Sequence, residues 1–156
     1  MKIKLTHLAS AVWEHKRLSM QADFLDSHQR HWSDAEQLFQ MGRWANADHL
    51  YGVTTECGLK RLMHAFGMAL GSDGSPTKKE DRKHANGLWL RFESYRSGHL
   101  HGTGYVLSLS DPFIDWDVSQ RYANQSNFDQ ARAQSHQAGA KAVCDLIKKA
   151  QREGLI

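Results

Sequence analysis

Residues 46–70 read NADHLYGVTTECGLKRLMHAFGMAL. Within them Leu50, Val53, Cys57, Leu59, Leu62, Met63 and Phe66 recur at intervals of three and four. That spacing puts side chains on one face of an α-helix. No proline interrupts the run, so it predicts a long helix whose apolar stripe is buried against other helices. Gly58 and Gly67 weaken the helix locally, which suits close approach by a neighbour.

The flanking sequence extends the same pattern. Upstream, Ser33-Asp34-Ala35-Glu36 has the form of a capping box, followed by Leu38 and Phe39 at helical spacing and closed by Gly42. Leu8, Val12, His15, Leu18, Ala22 and Leu25 predict an N-terminal helix over residues 6–26. Downstream, Gly71-Ser72-Asp73-Gly74-Ser75-Pro76 is the clearest break in the chain. Thr77-Lys78-Lys79-Glu80 is a second capping box, predicting a helix that carries His84, Leu88, Trp89, Phe92 and Tyr95 and ends near Gly98. A glycine-punctuated stretch then runs to Pro112. Tyr105, Leu107 and Leu109 alternate there, which allows one short strand, with Lys2–Leu5 as its partner. The last helix is expected from about Asn127, with Phe128, Ala131, Ala138, Ala142, Leu146 and Ile147 as its stripe and Gly154 as its stop. The expected fold is all-α: a four- to five-helix up-and-down bundle with a long loop between the third and last long helices. Residues 1–30 form an N-terminal helix and lead-in, and residues 31–156 form the bundle, in one domain overall.

The composition narrows the function. With 156 residues, 40% hydrophobic and 24% charged, the chain reads as one soluble globular domain. It has no apolar run long enough to span a membrane and no apolar core in Met1-Lys2-Ile3-Lys4-Leu5-Thr6-His7, so a cytoplasmic chain is expected. Cys57 and Cys144 are far apart and fall on apolar stripes, which suits buried thiols; without a C-x-x-C pair a structural zinc finger is excluded. His28-x-x-His31 and His99-x-His101 lack a third ligand at a recognised spacing, so no metal is expected. No P-loop or dinucleotide fingerprint is present, and no cofactor is expected. A net charge of +3 permits an anionic partner without demanding one, and ten histidines supply groups that titrate near neutral pH.

One set of motifs resembles a known family. Ala35-x-x-Leu38-x-x-x-Gly42-Arg43-Trp44-x-x-Ala47-Asp48-His49-Leu50, running into Glu56-x-x-Leu59-Lys60-x-Leu62, resembles the first helical pair of the HEPN superfamily. His84-Ala85-Asn86-Gly87-Leu88-Trp89 is similar to the opening of that family's third helix, with Ala85 in place of an acid. Ser119-Gln120-Arg121-Tyr122 is similar to its R-Y-P segment, with Ala123 in place of proline. The resemblance covers roughly residues 33–150. It implies a helical bundle, commonly a homodimer. It also implies one of two functions: a metal-independent endoribonuclease of a toxin or antiviral system, or a non-catalytic subunit that binds a nucleotide or partners a nucleotidyltransferase. RNA or a nucleotide would be the ligand, and an antitoxin or nucleotidyltransferase the protein partner.

The catalytic members carry an arginine and a histidine with four to six residues between them. Arg43/His49 and Arg96/His101 both match, and a motif this short is expected about twice by chance in such a chain, so position decides. Arg96/His101 falls between the third and last long helices, near where the family places its pair. The resemblance therefore implies His101 as the acid/base and Arg96 as the phosphate clamp. Lys60, His84, Arg121 and Tyr122 are the expected nucleotide or RNA contacts. Two of these have an alternative reading. Glu56 and Lys60 have the spacing of a helix-surface ion pair, and Tyr122 could pin its loop to the bundle rather than stack a base. Apart from the resemblance, Trp116 of Asp115-Trp116-Asp117 offers a third, weaker reading, a scaffold that recognises another protein through that loop.

Overall fold

The computed structural model describes residues 20–156. The expected N-terminal helix up to residue 19, and the pairing of Lys2–Leu5, lie outside the described residues. Among those described there are four α-helices: α1 (Phe24–Gln40), α2 (Trp44–Ala65), α3 (Ala85–Ser97) and α4 (Gln130–Arg152). Short 3₁₀ turns occur at Lys79–Asp81, Gly102–Gly104, Val118–Tyr122 and Gln125–Asn127. No sheet is present among the described residues; one isolated bridge joins Leu70 and Pro76, and residues 98–112 carry no strand. The all-helical expectation holds. No described helix is long and apolar enough to cross a membrane.

α2 is the central element and packs against α1, α3 and α4. Leu59, Leu62, Met63 and Phe66 from its stripe are buried, together with Leu88, Trp89 and Phe92 of α3 and Val143 and Ile147 of α4. Gly58 marks the closest crossing. A Cβ there would stand 2.6 Å from both Nδ1 of His28 on α1 and Cγ1 of Val143 on α4. α1 and α2 are joined only by Met41, Gly42 and Arg43, and Gly42 takes the left-handed φ of 71° that closes α1.

Two helix starts and one apolar stripe differ from expectation. α1 begins at Phe24, capped by Asp23, whose carboxylate accepts from the amides of Leu25 (3.1 Å) and Asp26 (3.0 Å). The helix therefore runs straight through residues 30 and 31, where the lead-in was expected to end, and encloses Ser33-x-x-Glu36 instead of starting there. Glu36 accepts from Tyr51 Oη and Gln137 Nε2, each at 2.7 Å, and so ties α1 to α2 and α4. Thr77–Glu80 does not open α3 either. The 3₁₀ turn at Lys79–Asp81 intervenes, held because buried Asp81 accepts from Arg91 Nε (2.6 Å) and Tyr95 Oη (2.7 Å). On α4 the buried stripe is Ala133, His136, Ala140, Val143, Ile147 and Ala150, whereas Ala131 and Ala138 are exposed.

Cys57 and Cys144 are buried, and burial pushes both thiols up to about 12, so they are packing groups and not nucleophiles. If Gly58 is the contact point of three helices, Gly58→Leu lowers stability by about 1–3 kcal/mol through overpacking. Urea denaturation measures this; an unchanged midpoint would show that the helices do not meet there.

Candidate functional site

Arg96 sits in the last turn of α3. Its Nε donates to Glu93 Oε2 at 2.7 Å, its Nη2 to Glu93 Oε1, and its Nη1 to the carbonyl of Gly102 at 3.4 Å. The turn folds so tightly onto the helix end that a Cβ on Gly102 would stand 1.7 Å from the Arg96 carbonyl oxygen. The guanidinium fork is thus occupied by a neighbouring carboxylate and the turn it clamps. His101 is exposed beyond it, and its amide donates to Nδ1 of His99 at 3.2 Å. No contact joins the Arg96 and His101 side chains.

Lys60 and His84 do meet, through Glu56. One oxygen of the Glu56 carboxylate accepts from Lys60 Nζ at 2.6 Å; the other lies 2.9 Å from Nδ1 of His84, just before α3. Lys60 is buried at 6% exposure, which requires a partner, and its Nζ lies 5.8 Å from the centre of the Phe24 ring. The Lys60 side chain is only 7% exposed, compared with 49% for His84. The expected ion pair exists, but it is buried and shared. Because the carboxylate can only accept, Nδ1–H of His84 donates to Glu56, and the neutral ring carries its lone pair on Nε2.

Arg121 and Tyr122 lie on the 3₁₀ turn Val118–Tyr122, which Asp117 caps by accepting from the Ser119 amide (2.8 Å) and hydroxyl (2.5 Å). These bonds hold the Asp117 carboxyl below its ordinary range, with a smaller contribution from the charge of His84. The Arg121 guanidinium lies 4.7 Å from the Tyr122 ring centre, and Tyr122 is 79% exposed, so it does not pin the loop. Among the described residues Arg121 has no hydrogen-bond acceptor or ion-pair partner. Beside it, His49 stacks on Trp116 with ring centres 5.6 Å apart. Its Nδ1 is buried without a partner. Burial, and then the charges of Arg121 and His31, hold His49 below the usual histidine range; Glu56 also lies within electrostatic reach. The turn that carries Arg121 packs against α2, the helix that carries Glu56 and Lys60.

One expectation fails here. Trp116 is 1% exposed, with its indole on Gly52, where a Cβ would come within 2.0 Å, so it anchors no external partner. Among the described residues no three His, Cys, Asp or Glu side chains converge as a metal-holding group. His28 instead pairs its Nδ1 with the Thr54 carbonyl at 2.9 Å.

One cluster escaped the sequence reading. His136 of α4, 1% exposed, places Nδ1 2.5 Å from Asp48 Oδ1 and Nε2 3.0 Å from Asp115 Oδ1. Asp48, fully buried on α2, also accepts from Gln120 Nε2 at 2.6 Å and lies 3.6 Å from Arg132 Nε. Arg132 donates to Asp115 through Nη1 (2.7 Å). This cluster fixes residues 115–120 against α2 and α4, and so sets the position of Arg121 and Tyr122.

No protein-family model, curated protein or solved structure matches the chain. What fold and site define is an all-helical bundle whose central helix carries a shared carboxylate–lysine–histidine array and packs against the turn that bears an exposed arginine–tyrosine pair.

The burial of Lys60 yields a stability test. Glu56→Ala strands a buried ammonium and should cost about 3–5 kcal/mol, whereas Lys60→Met removes the charge along with its need for a partner and should cost distinctly less. Equal denaturation midpoints for the two variants would contradict the shared-carboxylate geometry.

Proposed function

We propose that the chain binds single-stranded RNA and cleaves it without a metal, with His84 as the proton acceptor. One observation carries this reading: a half-exposed imidazole is oriented through Nδ1 by Glu56 of α2, and an arginine with no acceptor among the described residues sits on a turn packed against that same helix. An imidazole held by a carboxylate presents one defined nitrogen to a substrate. Nε2 of His84 takes the proton of a ribose 2′-hydroxyl, and the 2′-oxygen forms its bond to phosphorus. The bond from phosphorus to the 5′-oxygen breaks, and the leaving oxygen takes a proton from water. Arg121 meets the phosphate charge, and Tyr122 offers a face on which a base stacks. Lys60 balances Glu56 and keeps the carboxylate in place. Arg96, engaged by Glu93, would have to leave that partner to serve as the clamp for His101.

The second reading is a non-catalytic subunit that holds a nucleotide or RNA. The prearranged Arg121–Tyr122 pair favours it, because phosphate and base recognition need no proton transfer. Under either reading the family resemblance adds a homodimer and an antitoxin or nucleotidyltransferase partner; light scattering of the purified chain tests the dimer.

The deciding experiment incubates labelled single-stranded RNA with purified protein in EDTA. Wild type should cleave, and His84→Ala should lose activity by at least about a hundredfold while still binding. Arg121→Ala should weaken binding, and His101→Ala should retain cleavage. Full activity in His84→Ala rejects the His84 assignment, and loss in His101→Ala returns the chemistry to the Arg96 turn. Wild type that binds but does not cleave selects the second reading.

A further inference from the structure

We propose that His136 is a proton-operated latch on the segment that carries Arg121 and Tyr122. With both ring nitrogens protonated it ties Asp115 of that segment to Asp48 of α2; with one proton it holds Asp48 alone. The inference rests on the reading of this face as an RNA or nucleotide site, because it assigns that site a control.

The geometry demands two protons. Carboxylate oxygens only accept, so the contacts at 2.5 Å to Asp48 and 3.0 Å to Asp115 each need an N–H, and a neutral imidazole has one. When one proton leaves, the other stays between Nδ1 and Asp48, since Asp48 is fully buried and has no water to replace it. The Nε2 lone pair then faces Asp115 Oδ1, and the contact becomes repulsive. Asp115, whose side chain is 57% exposed, keeps its ion pair with Arg132 at 2.7 Å and swings on that tether away from the ring. His136 lies nearly parallel to Phe113, with ring centres 5.1 Å apart, so packing holds the ring in place and leaves Asp115 to move.

The charged groups facing His136 are Asp48 from α2, Asp111 and Asp115 from the connector, and Arg132 from its own helix. Losing one proton adds one negative charge to this cluster. Gln120, bonded to Asp48, precedes Arg121 in the chain, so the change is felt where a phosphate would sit. Both the loosened anchor and the added negative charge weaken anion binding.

The sign follows from the environment. Burial alone would lower the His136 pKa, but hydrogen bonding and charge from Asp48 and Asp115 outweigh it and raise the pKa above the ordinary 6.5. The stabilisation is therefore complete below about pH 6.5 and is lost as pH rises through the raised value.

Asp115→Asn isolates the latch. The introduced amide can donate to the Nε2 lone pair and still accept from Arg132, so the variant stays latched with a neutral ring. Hydrogen exchange of residues 113–123, corrected for its intrinsic pH dependence, is followed from about pH 6 to about pH 9 alongside binding of a labelled single-stranded oligoribonucleotide. In wild type, protection should fall across this range and affinity should drop by no more than about tenfold per pH unit, as one linked proton requires. In Asp115→Asn both should stay flat. The same pH response in both proteins, or no change in wild-type exchange, overturns the latch. Exchange that responds while no RNA binds at any pH supports the latch and rejects the RNA reading.

Discussion

The structure depends on a carboxylate that has no access to water. Asp48 is fully buried in the first turns of α2 and must be met by donors and positive charge from elsewhere in the chain. His136 and Arg132 come from α4, Gln120 from the connector, and the Asp48 carbonyl receives Trp116 Nε1 at 3.2 Å. One residue thus fixes where the last helix and the long connector sit on the central helix. The Trp116 indole, buried on Gly52, supplies about 4–6 kcal/mol of apolar burial as an upper bound, against about 1 kcal/mol net for a typical hydrogen bond. Burial holds the connector down, while the Asp48 network sets its register, because a one-residue slip would strand a buried charge.

The same helix orders the surface chemistry. Asp48, Gly52, Glu56 and Lys60 are each four residues apart, so they form one line along α2. Its first position anchors the connector and its second seats Trp116. Its third orients His84, and its fourth neutralises the third. The structural cluster and the candidate site therefore share a spine. This continuity makes the histidine of α4 relevant to an arginine that it does not touch.

Much of this was legible in the sequence, for reasons that also explain the rest. The stripe of α2 obeys helical spacing and contains the residues found in the core. Gly58 was readable as a close approach because a glycine inside a strong helix needs a packing reason. Lys60 was readable as the partner of Glu56, though its burial was not, since spacing reports a neighbour and not solvent. The start of α1 was misread because Ser33-x-x-Glu36 matches a capping box while Glu36 is claimed by Tyr51 and Gln137, which lie remote in sequence. His136 sits in register with Ala133, Ala140 and Val143, so the spacing did contain it. A polar residue was passed over as a stripe member, and the acids that pair with it lie on other elements. Trp116 looked exposed between two acids, but only the acids keep access to solvent, while the indole turns in.

The contrast between the two arginine–histidine settings follows from where each lies. Arg96 comes three residues after Glu93 on one helix face, so the nearest carboxylate occupies its fork before any ligand arrives. Its remaining donor reaches the carbonyl of a turn that must fold back over the helix end, a role that any helix followed by Gly98, Gly102 and Gly104 would reward. Arg121 follows Asp117 by four residues, but Asp117 is engaged by Ser119, and the guanidinium is left over the Tyr122 ring. A short motif records separation along the chain, whereas availability for binding is decided by which nearby acids are already satisfied. On that criterion the guanidinium of Arg121 is open to a ligand and that of Arg96 is already engaged.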